Sequence, residues 1–155
     1  MSETPDTTAT TPKAVADVRG LSHVRLTVTD IARSKEFYSR LFGAAPALDH
    51  SDEVDDPSVR ADPQRFYGGC VYAIGDHLLG LRPVAEAGDR FDSTRVGLDH
   101  VSFQVGSVSD LEDAVRRLEE AGVEHGEITT LEQQGIAFVS LQDPDDVNLE
   151  LTAAL

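Results

Sequence analysis

The sequence lacks several features that would narrow its class at once. A single cysteine, Cys70, excludes an intrachain disulfide and a cysteine cluster for zinc. Tryptophan is absent, and no stretch approaches the ~20 consecutive apolar residues of a membrane span. Only 13 basic residues stand against 28 acidic ones, and the formal net charge of -15 opposes contact with phosphate backbones and anionic membranes. We therefore predict a cytoplasmic protein with no nucleic-acid or membrane partner, in which His and carboxylate side chains bind any metal.

The length of 155 residues suits a single domain with one hydrophobic core. Residues 1–19 are rich in Thr, Ala and acidic side chains and contain no apolar run, which predicts a disordered tail. The domain itself is predicted to comprise residues 20–155.

An internal repeat organises this domain. Leu21-Ser22-His23-Val24 matches Leu98-Asp99-His100-Val101, and each copy begins with an alternating strand. An amphipathic helix follows in each copy, from Asp30 to Gly43 and from the cap residue Ser109 to Gly122. Period-two segments then predict three more strands per copy, at 47–50, 65–74 and 77–82 and at 124–131, 135–141 and 147–152. The predicted fold is α+β, with two tandem βαβββ modules (20–84 and 97–153) whose curved mixed sheets enclose a cavity.

The segment 49–64 interrupts the first copy. It is acidic, carries Pro57 and Pro63, and has no sustained apolar period, which predicts a long loop. A lid over the cavity and a surface insertion without ligand contact are both compatible with this pattern.

Three side chains could hold a metal. His23 and His100 occupy the same place in the two copies, so the repeat should direct both imidazoles towards the shared cavity. Glu150 lies between Leu149 and Leu151 in the last strand, and by alternation it faces the same side. A carboxylate there needs compensation, which a metal bound by two imidazoles supplies. Two His and one carboxylate leave about three positions open on an octahedral ion.

Period two also predicts the residues that surround these ligands. Arg25 and Arg82 could bind a carboxylate or enolate oxygen through paired hydrogen bonds, or could instead form internal ion pairs or lie at the cavity mouth. Phe66, Tyr67 and Tyr72, predicted to lie on the third strand, could form an apolar wall but are first of all candidates for the core. No side chain is singled out as the catalytic acid or base. The predicted substrate-binding residues are Arg25, Thr27, Arg82, Ser102, Gln104 and Asn148.

The two motifs around His23 and His100, the helix from Asp30 to Gly43 with its Phe-Tyr pair, and the segment 143–151 together resemble the vicinal oxygen chelate superfamily. This superfamily includes glyoxalases, extradiol dioxygenases, fosfomycin-resistance enzymes and bleomycin-resistance proteins, and the resemblance covers about residues 20–151. Asp146 and Val147 stand where the superfamily usually has Gly and a polar residue, which concerns the turn more than the Glu150 ligand.

The resemblance implies one divalent ion, with Fe2+ or Mn2+ favoured over Zn2+, Ni2+ or Co2+, a small-molecule substrate and a homodimer. It also implies a fourth ligand position, which Gly80 leaves empty, so that the site is closer to an extradiol dioxygenase than to a lactoylglutathione lyase. The function implied is a metal-dependent dioxygenase or lyase whose substrate chelates the ion through vicinal oxygens. The alternatives are a metal-free bleomycin-resistance-type protein that sequesters a drug or natural product, and a catalytically silent scaffold dimer.

Overall fold

The computed structural model describes residues 11–155 and has the predicted α+β architecture of two βαβββ modules. Residues 1–10, the first part of the predicted tail, lie outside the described residues, and residues 11–19 are exposed and belong to no helix or strand. Within the described part of the chain, none of the helices combines the length and the apolarity needed to cross a membrane.

The first module forms an open four-stranded sheet with one main helix. Strand β1 (His23–Thr27) leads to helix α1 (Ile31–Phe42), followed by the short strand β2 (Leu48–Asp49), the short helix α2 (Pro57–Arg60) and strands β3 (Cys70–Ile74) and β4 (His77–Arg82). The strand order is β1-β4-β3-β2, with β1 parallel to β4. As predicted, the Asp30 carboxylate caps α1 by accepting from the amide of Arg33, and Gly43 ends the helix in the left-handed conformation.

The second module repeats this arrangement. Strand β5 (Val101–Gln104) precedes helix α3 (Val108–Glu120) and strands β6 (Thr129–Leu131), β7 (Ile136–Gln142) and β8 (Asn148–Ala154), in the order β5-β8-β7-β6 with β5 parallel to β8. Helix α3 begins two residues earlier than predicted, because Ser107 rather than Ser109 accepts from the amide of Asp110. Gly122 follows its end with φ 68°, in agreement with the predicted stop.

The predicted third strand of the first module is wrong over residues 65–69. Residues Pro63–Gly68 form a 3-10 segment that is kinked at Phe66 and Tyr67, and strand β3 begins only at Cys70. The preceding segment is not a simple loop either, since it contains the 3-10 turn Ser51–Glu53 and helix α2, whose Val59 is buried. Buried apolar contacts rather than hydrophobic periodicity therefore order this insertion.

The turn 143–146 of the second module packs against the first module and forms polar contacts with it. Asp143 and Asp145 are both 4% exposed. Asp143 accepts from the Tyr38 hydroxyl at 2.8 Å and from two amides of its own turn, while Asp145 accepts from Thr29 and pairs with Arg33 at 2.8 Å. The turn closes through Asp146 in the left-handed region at φ 66°, which Asp tolerates better than most residues. Buried carboxylates of the second module therefore bind side chains of the first helix.

Aromatic packing continues this joint into the core. Phe42 of α1 contacts Phe103 of β5 at 5.1 Å between ring centroids, and buried residues of both modules belong to one hydrophobic cluster. The inner surfaces of the sheets, which carry residues such as Leu81 and Leu149, face this common core. The polar residues that alternate with them lie on the opposite, open face of each sheet.

Tyr38→Phe should destabilise the protein by about 1–3 kcal/mol, because it leaves a buried oxygen of Asp143 without its donor. Burial, followed by the neighbouring Asp143, raises the pKa of Tyr38, so the phenol remains a donor. Urea denaturation would measure the difference in the free energy of unfolding, and the dependence of this free energy on urea concentration should be unchanged. Tyr67→Phe is the matched control, since the Tyr67 hydroxyl makes no hydrogen bond within residues 11–155. Equal midpoints for the two variants would contradict the role of this bond.

Candidate metal centre

His100 and Glu150 meet at the start of the parallel strand pair of the second module. His100 directly precedes β5, and Glu150 lies in β8 opposite Ser102. The imidazole Nε2 is 3.4 Å from the carboxylate Oε2, and the two side chains are 40% and 21% exposed. Two of the three predicted metal ligands therefore converge on a point that solvent can reach.

Asp99 fixes the orientation of this imidazole. Its Oδ1 is 2.5 Å from His100 Nδ1, and this hydrogen bond is the main reason that the pKa of His100 is raised, with the charge of Glu150 adding to it. A carboxylate on Nδ1 directs Nε2 towards Glu150 and makes it a better metal ligand. The sequence analysis did not assign Asp99, although a carboxylate next to a candidate ligand His is a usable signal for such support.

These side chains open into a cleft of about 670 Å³. All the residues that line it belong to the second module, and Asn148, a predicted substrate contact, is among them. The neighbouring polar pairs on this face are Gln142 with Asn148 at 3.0 Å and Ser102 with Thr152 at 2.5 Å. Gln104 lies further along the same face and lines a separate groove. The acidic residues that line the cleft are Asp99, Glu124, Asp143, Asp146 and Glu150.

The predicted residues of the first module lie elsewhere, on the open face of the other sheet. His23 and Thr27 are exposed, and His23 Nδ1 is 3.2 Å from the hydroxyl of Ser22. Arg25 lies against Gly80, and Arg82 stacks on Tyr67 with its Cζ 3.9 Å from the ring centroid. Within residues 11–155 of one chain, no group of three or more His, Cys, Asp or Glu side chains is positioned to hold a metal ion.

Residues 20–151 match the family described as the Glyoxalase/Bleomycin resistance protein/Dioxygenase superfamily. An uncharacterized protein of Bacillus subtilis, YwkD, is 28% identical over 137 residues, which cover 86% of this chain and 96% of that protein. A glyoxylase/bleomycin resistance protein/dioxygenase domain from Frankia sp. is 26% identical, with a TM-score of 0.66 and coverage of 89% of this chain and 93% of that one.

Two further solved structures share the fold at lower identity. A glyoxalase/dioxygenase from Nostoc punctiforme is 19% identical with a TM-score of 0.68, over 94% of this chain and 97% of that one. A mutant of the fosfomycin resistance protein FosX from Listeria monocytogenes, complexed with Mn(II) and 1S,2S-dihydroxypropylphosphonic acid, is 20% identical with a TM-score of 0.66, over 89% and 94%.

Proposed function

Because the chain belongs to the Glyoxalase/Bleomycin resistance protein/Dioxygenase superfamily, we propose that it is a small divalent-metal-dependent enzyme whose substrate chelates the ion through two adjacent oxygen atoms. The observation that carries this proposal is the approach of His100 Nε2 to Glu150 Oε2 at 3.4 Å, in an open cleft and with Asp99 on the second ring nitrogen. Without an ion, this pair resembles an ordinary exposed ion pair of small energetic value. The supporting Asp99 and the large polar cleft favour a ligand pair instead.

The donor set suits a divalent ion. An imidazole nitrogen and a carboxylate oxygen are ligands that Fe2+, Mn2+, Zn2+, Ni2+ and Co2+ accept, and we favour Fe2+ or Mn2+ because the carboxylate and open positions leave room for oxygen ligands. The Mn(II) in the FosX relative is consistent with this preference. When bound, such an ion would act as a Lewis acid that stabilises negative charge on the oxygens of the substrate.

We propose that His23 of a partner subunit supplies the third ligand. In one chain the modules are joined through their helix-facing sides, so the open faces that carry His23 and Glu150 do not share a cleft. The two faces also differ in charge, since Arg25 and Arg82 lie on the first and five acidic residues line the cleft on the second. A homodimer that pairs the first face of one subunit with the second face of the other brings opposite charges together and completes the ligand set.

In that arrangement the remaining predicted residues surround the substrate. Asn148, Ser102 and Gln104 offer hydrogen-bond donors and acceptors on the second face. Thr27 and the two arginines face them from the first module, where the guanidinium groups would bind and orient the negatively charged end of the substrate. Positioning of this kind would hold the chelating oxygens towards the ligand pair and away from the acidic rim.

Metal analysis tests the proposal. Protein purified without a polyhistidine tag and dialysed against Mn2+ or Fe2+ under nitrogen should retain about one ion per chain, since each dimer would contain two equivalent sites. Elemental analysis after exhaustive dialysis measures this ratio. Retention of neither Mn2+ nor Fe2+ would contradict the enzyme proposal and favour a metal-free sequestering protein. Binding of a drug or natural product would then be measured directly.

A further inference from the structure

The two modules differ in charge at one matched pair of strand positions. Gly80 pairs with Arg25 across β4 and β1, as Glu150 pairs with Ser102 across β8 and β5. A Cβ on Gly80 would lie 3.3 Å from Arg25 Nε and 3.4 Å from its Cγ. The Arg25 side chain therefore lies across the glycine, and the first module has a guanidinium where the second has a carboxylate.

Arg25 and Arg82 each lie over an aromatic ring. Arg82 Cζ is 3.9 Å from the Tyr67 centroid, and Arg25 Cζ is 5.9 Å from that of Phe66. We call these four residues with Gly80 the arginine face. Stacking fixes the plane of a guanidinium and removes some of its water but leaves its charge and donors available.

Neither arginine has a carboxylate partner within residues 11–155, although the chain carries 28 acidic residues against 13 basic ones. Arg82 Nε is also buried without a hydrogen-bond partner in the described part of the chain. In so acidic a protein, two arginines that have no carboxylate partner in their own chain are available to an external anion.

The aromatic rings are held by an unusual backbone. Phe66 and Tyr67 are consecutive non-glycine residues in the left-handed region, at φ 50° and 58°, and Gly68 follows at φ 77°. The amide of Tyr67 donates to the Asp62 carbonyl, and that of Gly69 donates to the Phe66 carbonyl. Such conformations cost free energy and persist where the surrounding structure enforces them, often at ligand sites. The turn therefore acts as a rigid support for the two rings.

We propose that the arginine face binds the carboxylate of an organic acid whose remaining part is apolar. Guanidinium groups match a carboxylate through paired hydrogen bonds. Leu48 and Leu78, which are 50% and 44% exposed and share this side of the sheet by register, provide apolar surface for the rest of the molecule. The inference deepens the proposed function and rests on it for the place of this acid in the reaction, but binding of the anion requires no metal.

Benzoate is the probe. Full-length, 15N-labelled protein freed of metal with EDTA would be titrated with benzoate while the Nε–H resonances of Arg25 and Arg82 are followed. We expect saturable shifts with benzoate and none with the uncharged benzamide, and Arg82→Gln should weaken benzoate binding at least about tenfold. The matched control Arg116→Gln removes a surface arginine paired with Asp113 and should bind as the wild type does. No saturable shift, unchanged binding by the Arg82 variant, or tighter binding of inorganic phosphate than of benzoate would overturn the proposal.

Tyr67 offers an independent test if the Arg82 variant fails to fold. Tyr67→Phe keeps the ring and should bind benzoate as the wild type does, whereas Tyr67→Leu should weaken binding because the guanidinium loses its support. Equal affinities for the two variants would contradict the role of the ring. Glu150→Gln should retain benzoate binding, so loss of the metal site and failure of the arginine face would be recognised separately.

Discussion

Glu150→Gln should lose metal affinity by more than the ~10–100-fold that removal of a supporting residue typically costs. The substitution removes the negative charge and one strong oxygen donor from the convergence point with His100. Its side chain is 21% exposed and lies on the open face of β8, so the fold should tolerate the amide. Calorimetric titration with Mn2+ measures the affinity, and circular dichroism checks the fold.

Glu124→Gln is the matched control for this variant. Glu124 lines the same cleft but lies outside the proposed ligand set, so its substitution makes the same change in net charge nearby. Metal affinity should change little, because a screened charge at the rim of an open cleft contributes little. Equal losses in both variants would mean that the ion responds to the general negative field of the cleft, which would contradict ligation by Glu150.

Mixing two variants that each lack a complete ligand set should restore part of the metal binding. His23→Ala and Glu150→Gln homodimers should each lack the complete ligand set. After subunit exchange, a mixed dimer contains one site built from intact His100 and Glu150 of one chain and intact His23 of the other. Because about half the dimers are mixed and each carries one good site, metal content should recover to about a quarter of the wild-type value.

The same experiment rejects the exchanged arrangement if no metal binding returns. A site built within one chain would stay defective in both subunits of a mixed dimer. The control mixes His100→Ala with Glu150→Gln. In this mixture each site built from the second module of one chain carries a defect, so metal content should remain at the level of the separate variants. Exchange itself would be confirmed by native mass spectrometry of the mixture.

Much of the fold could be predicted because period-two strands and capped helices recur in both halves of the chain. Asp30 and Gly43 bound the first helix as predicted, and the match between His23 and His100 identified the repeat. Ser109 was predicted as the cap of the second helix, whereas the structure uses Ser107, which precedes the same apolar stripe. The prediction of a strand over residues 65–69 failed because distant contacts override the local pattern. Alternating residues there occupy a left-handed turn whose geometry is fixed by contacts with Val54 and Asp62, which lie outside the local pattern.

The candidate site was predictable within one module and not between modules. Alternation puts Glu150 on the open face, and the parallel pairing of β5 with β8 brings His100 beside it. How the two sheets sit relative to each other depends on which surfaces share the core, and the same periodicity is compatible with either arrangement. In the single chain, the arrangement of the two sheets is set by the packing of Phe42 on Phe103 and by the hydrogen bond from Tyr38 to residue 143.

The apolar core common to both modules limits which substitutions each module can accept. A change in side-chain volume at Phe42 must be accommodated by Phe103 in the other copy, so neither copy can alter its inner surface independently. The open faces do not pack against each other within one chain, so their residues can differ. On these faces the first module has arginine and glycine where the second has serine and glutamate. The shared core thus couples the two modules, whereas the open faces can carry different chemical groups and can serve different tasks.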